Sequence, residues 1–212
     1  MPARRPRLRR RLCLRKVLSV RYLDHAACTP PWPEALAAQA TAARDFFANP
    51  SARHAAGAAA RGELRRLKQR FCDLIGFPDG RLVLTSGGTE ALNLVLRSLL
   101  AENTDKRLAI SADAHAAAWW PVSSHKERTL VLPLDGQGRL PLKRLDLLLT
   151  PKVGAVCLPH AANETGIVHD LAAICRLAQA RGVRVIADGV QALGHLPVDL
   201  TLLDVDAYIF SA

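Results

Sequence analysis

From Tyr22 onward the chain alternates short apolar runs with stretches of helical period, and this alternation confines it to a mainly parallel sheet covered by helices, an α/β fold. The spacing predicts strands over Leu82–Thr85, Leu108–Ser111, Thr129–Leu132, Val153–Leu158, Val183–Ala187 and Ala207–Phe210. It predicts helices over Ala55–Ile75, Glu90–Leu100, Leu140–Leu148 and Leu171–Arg181. A buried strand such as Val183–Ala187 delivers the next residue to the carboxyl edge of the sheet, where open α/β folds bind ligands. Asp188 is thereby aimed at a ligand. Ala207–Phe210 reaches the same edge and the sequence stops two residues later, which predicts that part of the site lies beyond Ala212.

Composition matters mainly through its distribution. The formal charge of +10 is concentrated at the start, where residues 1–21 hold nine Lys or Arg and no acid, leaving +1 for residues 22–212. The expected organisation is a basic tail over 1–21 and one large domain over 22–212. The tail could be an organelle-targeting peptide, an arm for nucleic acid or anionic membrane, or a plain extension. It lacks the uninterrupted apolar core of a secretory signal, and no apolar stretch is long enough to span a membrane. Five widely spaced cysteines without a C-x-x-C pair suit a reducing cytoplasm better than a disulfide scaffold. Cys157 and Cys175 fall in apolar patterns and read as small core residues, not nucleophiles.

Four polar segments follow predicted strands. Thr85-Ser-Gly-Gly-Thr-Glu90 joins a strand to a helix, and its glycines, hydroxyls and helix amino terminus suit a phosphate, although an ordinary capped turn has the same composition. It lacks the spacing of a Walker loop. Asp188 can pair with a protonated ring nitrogen, with Gln191 three residues on, or it can cap its own turn. His115 follows the Leu108–Ser111 strand and can stack on an aromatic ligand or move a proton. Asn163, after Val153–Leu158, can hydrogen-bond a phenolic oxygen. Taken singly, each also fits an ordinary loop position. The histidines show no metal-ligand spacing, so no metal site is expected.

Six segments taken together resemble a family. Tyr22-Leu-Asp-His-Ala-Ala-Cys-Thr-Pro30, Asn49-Pro-Ser-Ala-Arg-His54, Thr85–Glu90, Asn163–Gly166, Asp188–Gln191 and Ile209–Ala212 are similar, in order and spacing, to segments of the cysteine desulfurases in the class V aminotransferase group. The resemblance implies the large domain of a fold-type-I transferase that uses pyridoxal 5′-phosphate and is normally a homodimer. It implies that Gly88, Thr89 and Ser211 hold the phosphate, Asp188 pairs with the ring nitrogen, His115 stacks on the ring as the one catalytic residue present, and Asn163 and Gln191 approach the phenolic oxygen.

The same resemblance places the lysine that anchors the cofactor two residues past Ala212, and the sulfur-accepting cysteine later still. It thus implies that residues 1–212 alone do not complete the reaction. His25 and Cys28 stand where the family usually has Asn and Thr. The implied parent activity is conversion of L-cysteine to L-alanine, with persulfide passed to acceptors for iron–sulfur cluster assembly or thiolation, in the cytoplasm. The alternatives are a class V aminotransferase, a selenocysteine lyase, or a non-enzymatic remnant whose basic tail binds anions.

Overall fold

The computed structural model describes residues 21–102 and 105–211, so the expected basic tail lies almost wholly outside the described residues. The chain parts between Ala40 and Thr41 into two units. In the first, the Tyr22 hydroxyl lies 2.8 Å from the carbonyl oxygens of both Asp24 and Cys28, and its ring meets His25 edge-on. The loop that bears His25 and the exposed Cys28 is thus wound around one tyrosine. Helix α1, Pro33–Asp45, buries none of its residues.

The second unit is built on helices α2 (Ala55–Leu74), α3 (Gly88–Glu102), α4 (Ala116–Val122), α5 (Leu142–Leu148) and α6 (Leu171–Gln179), with strands β1 (Arg107–Ser111), β2 (Thr129–Leu132), β3 (Val153–Pro159), β4 (Arg184–Asp188) and β5 (Ala207–Ile209). Helix α2 is rich in the strong helix formers Ala, Arg and Leu and stops where Gly76 turns to φ +71° ahead of Pro78. Helix α4 has too little periodicity to be read from sequence, being seven residues with Pro121 inside; the His115 side chain caps its start.

All strand pairs are parallel, in the order β2-β1-β3-β4-β5. Side chains alternate across this sheet as strand geometry requires. Val156 and Leu158 of β3 join Leu145, Ile174 and Cys175 in one core, under α5 and α6. Ala155 and Cys157 join Leu92, Leu96 and Val122 in the other, under α3 and α4. Burial pushes the Cys157 thiol far above its ordinary range and that of Cys175 up to about 11, as befits packing groups.

One expected strand is corrected. Leu82–Thr85 joins no strand ladder among the described residues, and a strand is defined by its ladder. It and the edge strand β5 together line a cavity of about 580 Å³, with Leu64, Phe71 and Val95, instead of meeting. Among the described residues no helix is long and apolar enough to cross a membrane.

The strand order also fixes where a ligand can sit. The chain passes from β1 to β2 on one side and returns to β3 on the other, so the sheet's switch point lies between β1 and β3. Crevices at such points, outside the carboxyl ends of the strands, are where doubly wound sheets take ligands.

Candidate cofactor site

Every predicted site residue, Ser211 included, sits at or within four residues of the end of a strand or of the 82–85 segment. Asp188 is the last residue of β4, one place earlier than a loop position, and is 8% exposed. Its Oδ1 accepts from the Val190 N–H at 3.1 Å. Burial raises its pKa; that hydrogen bond and the nearby His115 oppose the rise without cancelling it. The carboxylate is therefore short of positive charge, and a cation brought to it would relieve that. The electrostatic link also sets His115 near Asp188.

His115 caps α4. Its Nδ1 accepts from the Ala117 N–H at 3.1 Å, which leaves the ring proton on Nε2. The residue is exposed.

The turn into α3 begins at Gly87, whose φ of +155° favours glycine. Thr85 Oγ1 accepts from the Gly87 N–H, and the Glu90 carboxylate accepts from the Ser86 N–H at 2.5 Å, which holds Glu90 below its usual pKa. The N–H groups of Gly88 and Thr89 meet no acceptor among the described residues. They open the amino end of a 15-residue helix, where an anion is favoured by the free donors and by the helix dipole. A Cβ on Gly88 would come within 2.6 Å of Val190 Cγ2, so this turn packs directly on the turn after Asp188. Ser211 is exposed and lines the same cavity as Thr85, Ser86 and Gly87.

Gln191 is half-buried in the turn closed by the Gly189 carbonyl, which accepts from Ala192 and Leu193. Asn163 is also half-buried, but its Nδ2 donates to Glu164 at 3.2 Å, and no hydrogen bond among the described residues joins its side chain to Asp188 or His115. Asp188 thus lies near His115, the turn after it packs on Gly88, and Ser211 shares a cavity with the Thr85–Gly87 turn, whereas Asn163 faces a local partner.

Sequence reasoning missed four residues behind this edge. Asp113 accepts from His169 Nε2 at 2.8 Å and from the Ser111 hydroxyl. His160 Nδ1 lies 2.8 Å from the Tyr208 hydroxyl. Burial, and then the Asp188 charge, keep that phenol protonated, so the tyrosine is the donor. Burial and the nearby His169 lower the pKa of His160, which is neutral. Asp113 and His160 follow strand ends, His169 lies later on the loop after β3 and Tyr208 within β5, and their pairing across 48 and 56 residues leaves no trace in local pattern.

The fold and this edge define an α/β domain with a buried carboxylate and an open helix terminus at the carboxyl edge of a parallel sheet. The family model "Aminotransferase class-V" matches residues 21–212. A cysteine desulfurase from Cereibacter sphaeroides is 35% identical over 197 residues, covering 90% of this chain and 51% of that protein. The solved structure of a NifS-like protein from Rickettsia africae is 26% identical with a TM-score of 0.75, over 90% of this chain and 53% of the other. A structure described as SspA in complex with cysteine shares the fold, with a TM-score of 0.81 at 22% identity over 91% of this chain and 57% of the other. The chain belongs to the class-V aminotransferase family, whose cysteine desulfurase members depend on pyridoxal 5′-phosphate. It spans about half the length of the relatives it matches.

Proposed function

We propose that this chain supplies the cofactor-binding half of a cytoplasmic, homodimeric cysteine desulfurase, which takes sulfur from L-cysteine, leaves L-alanine and passes a persulfide to iron–sulfur or thiolation acceptors. The observation that carries the reading is the pairing at one sheet edge of a buried, charge-poor carboxylate, Asp188, with unpartnered N–H donors at Gly88 and Thr89. Their chemistry fits the two ends of pyridoxal phosphate. Thr89, Ser211 and the Gly88 backbone hold the phosphate; Asp188 keeps the ring nitrogen protonated; His115 covers the ring with Nε2–H available as a donor; Gln191 and Asn163 attend the phenolic oxygen, Asn163 after turning from Glu164. Bound there, the cofactor supplies an electron sink for the substrate's carbon skeleton. The substrate reading draws on the cysteine desulfurases among the relatives and on the cysteine complex of similar fold.

The test is to titrate the full chain with pyridoxal phosphate and with pyridoxal lacking the phosphate, following tryptophan fluorescence. The phosphate-free compound should bind at least about tenfold more weakly, the loss of roughly 1.4 kcal/mol expected when charge-assisted hydrogen bonds disappear. Equal affinity for the two compounds would remove the phosphate assignment. Sulfide should not be released from L-cysteine by residues 1–212 alone, because the resemblance places the covalent lysine and thiol outside them.

A further inference from the structure

The two loops that meet at the switch point are joined by a buried polar chain that neither the family motifs nor the proposed cofactor contacts use. Ser111 ends β1, and its hydroxyl donates to one oxygen of Asp113; the other oxygen accepts from His169 Nε2 at 2.8 Å. The side chains of His169 and Asp113 are only 1% and 10% exposed. His169 lies on the loop after β3, and its N–H donates to the His160 carbonyl at 3.0 Å. The His160 N–H in turn donates to the Asp188 carbonyl at 2.8 Å, and its ring meets Tyr208 of β5. One connected set of groups therefore ties together the ends of β1, β3, β4 and β5.

His115 is two residues past Asp113. Between them Ala114 is pinned on both sides: its N–H donates to the Ser111 carbonyl at 3.0 Å, and its carbonyl accepts from Trp119 Nε1 at 3.1 Å. Little slack remains between the buried pair and the imidazole. Taking hydrogen-bonded polar groups out of water costs desolvation and is a poor device for stability alone. Here the pair holds the loop that carries the exposed His115 against the loop that reaches Asp188.

We propose that Asp113 and His169 are positioning residues: their buried pair, anchored by Ser111, sets the place and tautomer of the His115 ring over the cofactor. The inference rests on the proposed cofactor reading. The pair does not touch the cofactor; it acts through the backbone of residues 113–115 and the cap at α4.

The experiment is a double-mutant cycle in the full chain, read by pyridoxal phosphate affinity and by ¹⁵N shifts of the histidine rings. Asp113→Asn should weaken binding about five- to tenfold, the size of effect typical of groups that orient a ligand-contacting residue. In a His115→Ala background the same change should cost less than about twofold, because coupled residues are not additive. The His115 ring should show a single Nε2–H tautomer in the parent and a mixture in Asp113→Asn. A second pair of variants serves if Asp113→Asn does not fold. His169→Gln keeps a donor for Asp113 and should bind like the parent, whereas His169→Leu should not. A loss of affinity that is the same with and without His115 would show a merely structural role and overturn the proposal, as would an unchanged His115 tautomer. If His115→Ala and Asp188→Asn both bind as the parent does, the cofactor reading itself falls, and the positioning role with it.

Discussion

Replacing Asp188 with asparagine should weaken the cofactor site and, in the same variant, make the ligand-free chain more stable. The two effects have one cause. Asp188 is held in a place that is unfavourable for its charge, since burial raises its pKa and the Val190 hydrogen bond and His115 recover only part of the loss. With a folded pKa above the unfolded one, the folded chain binds the extra proton. Stability therefore falls as pH rises from the unfolded value, near 3.8, through the folded one, and stays low above it. Asparagine has the same shape and keeps an oxygen for the Val190 N–H, but it has no charge to bury. At pH 7 the ligand-free variant should melt above the parent, and the gap should close as pH drops below about 4, where both side chains are neutral.

Binding moves the other way. The cation that Asp188 would pair with is removed from water at a residue only 8% exposed. Deleting one partner of such a pair costs about 2–5 kcal/mol, or roughly 30- to 5,000-fold in Kd. Thermal melts at pH 7 and pH 3.5, each with and without pyridoxal phosphate, give both numbers from one instrument. A variant that binds like the parent, or that is less stable than the parent at pH 7, would refute the account of Asp188 as a carboxylate kept charge-poor for a cationic ligand.

Two further outcomes are expected at the same edge. Burial alone would raise the Asp113 pKa, but the hydrogen bonds from His169 and Ser111 and the His169 charge outweigh it and hold the group below its usual value. Its contribution is thus present above about pH 4 and lost as pH falls through the lowered pKa, so the acid unfolding midpoint of Asp113→Asn should lie at higher pH than the parent's; circular dichroism from pH 6 to 2 checks this, and an unchanged midpoint counts against the pair. A Cβ at Gly189 would collide with the Tyr208 ring. Gly189→Ala should therefore cost about 1–3 kcal/mol, a drop of roughly 2–12 °C in Tm, and Tyr208→Ala in the same chain should recover part of it. An alanine tolerated without loss would mean that the ring is not fixed against this turn.

Local pattern carried the fold a long way because each strand announces itself within three to seven residues. Leu108–Ser111, Thr129–Leu132 and Val153–Leu158 are apolar runs bounded by polar turns, and their identity needs no knowledge of neighbours. Leu82–Thr85 has the same pattern, yet whether it pairs depends on which backbone lies beside it, and β5 meets only β4. Helix α4 escaped for the opposite reason. Its start is fixed by a histidine side chain and not by Ser, Thr, Asp or Asn, the residues usual at a cap.

The site divides along the same line. Asp188, His115 and the turn at Gly88 could be placed at the ligand edge because a residue after a parallel strand has only one edge to reach. What could not be read was which strand ends adjoin, since chain order gives β1, β2, β3 while space gives β2, β1, β3. That single inversion brings Asp113 to His169, 56 residues away, and makes two residues of no apparent pattern the support for a third that was legible. Residues that touch a ligand advertise themselves by chemistry and by position along a strand. Residues that hold them still are set by which strands are neighbours, and here the neighbours are the two strands on either side of the switch point.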